Sequence, residues 1–143
     1  MRIIRELQKE DRISYLELLE NLTVVGEISE EDFNQQLKEL SENPVYKVFV
    51  VYDTVKDSIV ASGTLLLEEK FIHQLGKVGH LEDIVVSPNC QGQGLGKRLI
   101  KHLVQVAKDH CCYKVILDCL EDVAPFYRKC GFNVNGFVMR HDF

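Results

Sequence analysis

Residues His80 to Gly96, HLEDIVVSPNCQGQGLG, read as a strand, a tight turn and a glycine-rich loop that runs straight into a helix. No other stretch constrains the chain as strongly. An otherwise apolar run, interrupted only by Glu82 and Asp83, predicts a strand over 80–86. Ser87-Pro88-Asn89 makes the turn, because proline fixes its own φ and drives the preceding residue out of the helical region. The helix is predicted from about residue 95 to 110, with Leu95, Leu99, Leu103 and Val106 on one face.

The loop between them, Gln91-Gly92-Gln93-Gly94-Leu95-Gly96, has a physical use. The first N–H groups of a helix lack internal partners, and the helix dipole makes that end partly positive. Glycines let a ligand approach the backbone without Cβ atoms in the way. The combination suits a phosphate or pyrophosphate, and Lys97 and Arg98 add positive charge just inside the helix. Two common phosphate loops fail the spacing test. A P-loop needs glycine at 91, where Gln stands, and Ser or Thr at 98, where Arg stands. A dinucleotide fingerprint starting at Gly92 and Gly94 needs a third glycine at 97, where Lys stands. The pattern that remains is Gln-x-x-Gly-x-Gly.

The rest of the chain agrees with one αβ unit. Its 143 residues support a single domain, 1–143, around one core. A formal charge of −5 disfavours binding to nucleic acid or an anionic membrane. No apolar run reaches membrane-spanning length, and Met1-Arg-Ile-Ile-Arg-Glu-Leu lacks the apolar stretch of a signal peptide. Five cysteines without a secretory signal read as reduced thiols in a cytoplasmic protein. Neither the cysteines nor the histidines show metal-ligand spacing, so no metal is expected. Cys119 and Cys130 read as packed side chains, and His73, His80, His102, His110 and His141 as lone ones.

In chain order, 3–7 reads as a short strand and 9–22 as a helix with Tyr15, Leu18, Leu19 and Leu22 on one face. Ser29 is a good N-cap for a second helix, which Asn43-Pro44 stops. Residues 45–52 and 59–67 form a hairpin across a polar turn, and the second strand can extend through Lys70-Phe71-Ile72. After the central strand and helix, 113–119 is an apolar strand. Asp122 then caps a short helix over 123–130, and Gly131 sits where a left-handed C-cap belongs. A last strand covers 132–139. The order β-α-α-β-β-β-α-β-α-β predicts an α+β fold: a mixed, mostly antiparallel sheet flanked by helices.

Five polar residues stand in or beside apolar elements. Glu82 and Asp83 lie inside the central strand, where neighbours face opposite sides, so one carboxylate points inward and needs a partner. A β-bulge would re-aim both toward a cleft and free strand N–H groups. Otherwise one carboxylate is solvated and the other salt-bridged. Asp118 ends the strand VILDC, placed either in a cleft or to cap the next turn. Tyr127 is either a core aromatic or a phenol donor, protonated at neutral pH because its reference pKa is near 10. Lys70 either pairs a substrate phosphate or is a solvated lysine after Glu68-Glu69.

Six stretches in this order carry a resemblance: Leu22–Gly26, Lys70-Phe-Ile-His73, Gly79-His-Leu-Glu-Asp-Ile-Val-Val86, Gln91–Lys97, Cys112-Tyr-Lys-Val-Ile-Leu-Asp-Cys119 and Phe126-Tyr-Arg-Lys-Cys-Gly-Phe132. Nearly end to end, the chain resembles the glucosamine-6-phosphate N-acetyltransferases of the GCN5-related N-acetyltransferase superfamily. The resemblance implies that superfamily's fold, a close homodimer with substrate sites near the subunit boundary, and acetyl-CoA as cosubstrate. It implies transfer of acetyl to the amine of D-glucosamine 6-phosphate, on the path to UDP-N-acetylglucosamine. Carried onto this chain, Glu82, Asp83 and Ile84 contact both substrates, and Ile84, Val85 and Val86 pair with the pantetheine arm. Gln91, Gly92, Gln93, Gly94, Leu95, Gly96 and Lys97 hold the pyrophosphate. Thr23, Lys70, Phe71, Ile72 and His73 line the sugar-phosphate site, Asp118 lies at the amine and Tyr127 at the CoA sulfur. The chain departs from the pattern twice. Val123 stands where an Asn usually faces the pantetheine, and Asp142 falls near the usual phosphate-binding Arg, with Arg140 as its replacement.

The expected mechanism is direct attack in a ternary complex. Glu82 or Asp118 accepts the amine proton, a strand N–H near Ile84 stabilises the oxyanion, and Tyr127 protonates the leaving thiolate. Two rivals are an acetyltransferase for another amine, such as a peptide or lysine, and a non-catalytic acyl-CoA-binding module.

Overall fold

The structure, a computed structural model, describes residues 1–143. Five strands form one sheet in the order β1 (Arg2–Glu6), β2 (Tyr46–Asp53), β3 (Ser58–Glu69), β4 (Lys77–Val86) and β5 (Cys112–Ile116). The first four pair antiparallel, and β4 pairs parallel with β5. The helices are α1 (Arg12–Leu19), α2 (Glu30–Glu42), the single turn α3 (Ile72–Leu75), α4 (Leu95–Asp109) and α5 (Ala124–Lys129).

Helix α4 makes the main core. Leu95, Leu99, Ile100, Leu103 and Ala107 recur at helical spacing and are buried against Phe49, Val51, Ala61, Leu65, Leu67 and Leu81 of the sheet. Each such side chain contributes about 1.5–3 kcal/mol through burial. On the other face α1 presents Leu18 to a smaller cluster with Val50, Ile59 and Val85. Helix α2 starts as its sequence dictates: the Ser29 hydroxyl accepts from the Asp32 N–H at 3.0 Å.

Several boundaries move. The first helix is an α-helix only over Arg12–Leu19, with a 3-10 turn at Lys9–Asp11 before it. The central strand begins at Lys77, and β5 ends at Ile116, short of Cys119. The hairpin strand stops at Glu69, so Lys70-Phe71-Ile72 does not extend it. The Lys70 N–H instead donates to Gly76 O at 2.9 Å, closing a loop with positive φ at His73, Gln74 and Leu75. Asp122 is no cap, because it lies inside the 3-10 turn Glu121–Val123. Gly131 does take the left-handed position, at φ +94°.

The largest difference is at the C-terminus. Residues 132–139 form no strand, although their sequence has the pattern of one. A strand forms only when its N–H and C=O groups meet another strand edge. After the Phe132 N–H donates to Tyr127 O, the tail makes no backbone bond to the chain. Phe137 and Met139 are 98% and 94% exposed.

Candidate active site

Strands β4 and β5 begin together and then part. Their pairing runs from Lys77 opposite Cys112 to His80 opposite Ile116, where β5 ends, while β4 continues to Val86. The β5-facing edge of residues 81–86 therefore has no strand partner. The gap is a cleft whose wall offers unpaired backbone N–H and C=O groups.

A β-bulge shapes that wall. Ser62 pairs with Val85 and Thr64 with Glu82, so Gly63 alone faces both Asp83 and Ile84. Asp83 takes φ +51° to accommodate the extra residue. The bulge flips the alternation. Ile84 turns to the α4 side against Gly63, and Val85 turns to the α1 side. Gly63 is required for this, because a Cβ there would lie 2.6 Å from Ile84 Cδ1 and 2.9 Å from Leu103 Cδ1. A glycine inside a strand is the sequence signal that marks such a site, and Gly63 stands in the interior of β3.

Three ionisable groups gather at the cleft. Glu82 is half-buried, and burial, then Asp118, then Asp83 push its carboxyl above the usual range, with His80 opposing. Asp118 lies exposed just beyond the end of β5. Tyr127, on α5, is packed between the rings of Phe126 and Phe132 at 5.1 and 6.1 Å. Burial chiefly, and then Cys119, Cys130 and Asp118, push its phenol up to about 12. It therefore stays a hydrogen-bond donor at neutral pH. Cys119 is exposed rather than packed, because β5 ends before it, and Cys130 is half-buried.

At the other end of the cleft the glycine loop fits an anion. Gly92 and Gly94 both have φ +75°, and a Cβ on either would meet nothing within 4 Å. Gln91 to Gly94 are exposed, Leu95 and Gly96 are buried, and Lys97 and Arg98 are exposed. Gly94 caps α4 with no side chain, so the first helical N–H groups stay open. Gly96 serves packing: a Cβ there would lie 3.0 Å from Phe126 Cζ, so its absence lets α4 approach α5. The loop is anchored from β1, where Arg2 donates to Gln93 Oε1 at 2.6 Å and to Asp53 Oδ2 at 3.0 Å.

The remaining predicted residues are more scattered. Thr23 is exposed just after α1, its N–H donating to Leu19 O at 3.2 Å. Phe71 and Ile72 point into solvent from the loop around α3, and the His73 ring lies 4.2 Å from that of Tyr113. Lys70 is not a freely solvated lysine but pairs with Glu68 at 3.1 Å. His80 is not lone either, with Nε2 2.9 Å from the same Glu68 oxygen. Arg140 is held by Asp142 through two bonds of 2.7 and 3.0 Å in the exposed tail. The sequence marks Tyr15 only as part of a helix face; burial chiefly, and then the charge of Asp83, raise its phenol against an opposing hydrogen bond with Ser62. No three His, Cys, Asp or Glu side chains are grouped to hold a metal ion.

Comparison with known proteins agrees with this geometry. The acetyltransferase (GNAT) family matches residues 4–132. The glucosamine 6-phosphate N-acetyltransferase of Candida albicans is 46% identical over 126 residues, covering 87% of this chain and 84% of that protein. The Trypanosoma brucei brucei enzyme of the same name is 40% identical over 144 residues, covering 97% and 94%. The crystal structure of glucosamine-6-phosphate N-acetyltransferase from Arabidopsis thaliana superposes with a TM-score of 0.96 at 35% identity, covering 100% and 99%. With the parted strands, the bulge and the glycine loop in place, the chain belongs to the acetyltransferase (GNAT) family and, within it, to the glucosamine 6-phosphate N-acetyltransferases.

Proposed function

We propose that the protein, acting as one domain over 1–143, transfers acetyl from acetyl-CoA to the amine of D-glucosamine 6-phosphate. The observation that carries this reading is Glu82 beside the bulge, its carboxyl raised by burial and by Asp118 beyond the end of β5, with the protonated phenol of Tyr127 sensing the same Asp118. The glycine loop at the head of α4 takes the pyrophosphate through open helix N–H groups, with Lys97 beside it. The unpaired edge of β4 from Ile84 to Val86 takes the amide groups of the pantetheine arm as an added strand would.

The amine must be neutral to attack the acetyl carbon. Its proton passes to Glu82 or Asp118 through water. The raised Glu82 carboxyl is a stronger base than an ordinary glutamate, because its environment favours the protonated form. A β4 N–H at the bulge stabilises negative charge on the carbonyl oxygen. Tyr127 donates its proton to the departing thiolate. Thr23, Lys70 to His73 and Arg140 contact the sugar phosphate. The product feeds synthesis of UDP-N-acetylglucosamine in the cytoplasm; no helix is long and apolar enough to cross a membrane.

The working form is a homodimer. The exposed apolar tail and the open outer edge of β5 support it, since each is the complement of the other. The deciding experiment is thiol release from acetyl-CoA with glucosamine 6-phosphate, glucosamine or a lysine peptide as acceptor. A protein-only blank is needed, because all five cysteines are free thiols. Fast release with the phosphosugar is expected. Release with the peptide alone would overturn the assignment of the acceptor.

A further inference from the structure

The carboxylate of Glu68 ties together two side chains from different parts of the sheet. One oxygen, Oε1, faces Lys70 Nζ at 3.1 Å and His80 Nε2 at 2.9 Å. Glu68 pairs with Val78 on the β3–β4 ladder, and Leu66 pairs with His80, so the Glu68–His80 contact is a diagonal one. Strand alternation puts His80 on the same face as Glu82, one two-residue step away, or about 7 Å. The groups sense one another. His80 and Lys70, in that order, hold the Glu68 carboxyl below its usual range, and His80 lowers that of Glu82.

A surface ion pair on flexible stems contributes little, but this one is more constrained. The side chains of Lys70 and His80 are only 26% and 28% exposed. The Lys70 backbone is fixed by its bond to Gly76 O at the base of the loop around α3. Without a partner, its four-carbon stem would sample solvent. Glu68 draws the ammonium back over the sheet, toward Glu82. An ammonium has three donors, so two remain for a ligand after the bond to Glu68.

We propose that Glu68 is a positioning residue for the acceptor. It holds Lys70 over the sheet face near Glu82, so that the phosphate of the sugar meets the ammonium as the amine reaches the carboxylate pair. This rests on the reading that Lys70 binds the sugar phosphate. The carboxylate weakens direct attraction to the phosphate, but it lowers the entropy lost in ordering Lys70 when the substrate binds. Its pairing with His80 fixes the direction of that hold.

The test compares the full-length wild-type enzyme with Glu68→Gln, Glu68→Asp and Lys70→Met, using glucosamine 6-phosphate, glucosamine and inorganic phosphate as an inhibitor. In Glu68→Gln the KM for the phosphosugar rises about tenfold, the size of one charge-assisted hydrogen bond, while kcat changes less than KM. The ratio of kcat/KM for phosphosugar over plain sugar falls by the same factor. Inhibition by phosphate weakens, and Glu68→Asp recovers part of the loss. Lys70→Met raises the same KM at least as much. A normal KM in Glu68→Gln beside a raised one in Lys70→Met overturns the role of Glu68 and leaves Lys70 as the phosphate ligand. A normal KM in Lys70→Met removes the underlying reading and this inference together. A lowered KM in Glu68→Gln shows that the carboxylate competes with phosphate, which also overturns it. An equal loss with both sugars does so as well, because it marks general damage to the sheet.

Discussion

Tyr127 and Glu82 are displaced in the same direction by the same cause, burial, with opposite consequences for chemistry. A phenol pushed up to about 12 stays protonated at neutral pH, so it is always available to donate a hydrogen bond to a departing thiolate. Tyr127→Phe should lower kcat about a hundredfold, the usual scale of one proton transfer, and leave the KM for acetyl-CoA near that of wild type. Stopped-assay thiol release checks this, and an unchanged kcat removes the phenol from the reaction. For Glu82 the raised carboxyl predicts that kcat/KM falls as pH drops through its raised value, since the base is then protonated. The same shift has a stability sign. The folded chain binds the Glu82 proton more tightly than the unfolded chain, so the contribution is fully present below the unfolded value of about 4.5 and is lost as pH rises through the folded one. Glu82→Gln, which cannot ionise, should therefore melt higher than wild type at neutral pH. The difference should vanish toward acid, and calorimetry across pH 4–8 measures both ends. Activity and stability thus pull apart at this position, as is common for working carboxylates.

At the scale of elements, the bulge in β4 is the device on which the cleft depends. Glu82 and Asp83 in succession left two readings open in sequence, a bulge or a regular strand with one carboxylate solvated and the other salt-bridged, and the register decides for the bulge. The partner of the bulge was not legible in that way. Gly63 lies in a different strand, and only the register, with Gly63 facing both Asp83 and Ile84, shows why it has no side chain. Gly63→Ala would drive a Cβ into Ile84 and the fully buried Leu103. It should cost about 1–3 kcal/mol, as overpacking does, and reduce kcat/KM by displacing the Ile84 N–H. Urea denaturation beside a rate assay separates the two effects. A variant of wild-type stability would mean that Ile84 swings aside freely. The glycine loop and α4 were readable because their cues are local: backbone freedom, open N–H groups and a helical apolar period. The link Lys70–Glu68–His80 was not, since sequence placed Lys70 after two glutamates without saying which of them turns back across the ladder.

For the whole molecule, residues 132–143 are the part that one chain leaves unfinished. They carry a strand's pattern but find no edge within their own sheet, while the outer edge of β5 stays open. Deleting residues 133–143 should leave the core intact, because its buried side chains all lie earlier in the chain. The same deletion should convert the proposed dimer to a monomer and cut activity at least tenfold through loss of the proposed phosphate ligand Arg140. Sedimentation and circular dichroism on the truncated chain check both outcomes, and a truncated dimer would place the interface elsewhere. The sequence by itself determined the αβ order as far as α5, the central strand, the phosphate-type loop and the helix behind it, because each rests on spacing within about twenty residues, and it marked the family through six stretches in order from Leu22 to Phe132. Only the tertiary structure decided where β5 parts from β4, which glycine faces the bulge, that Asp118 comes to act on both Glu82 and Tyr127, and that the last segment finds no strand edge within its own chain. Those outcomes depend on strand register and on edges supplied by distant segments, and a strand is completed by its neighbour rather than by its own residues.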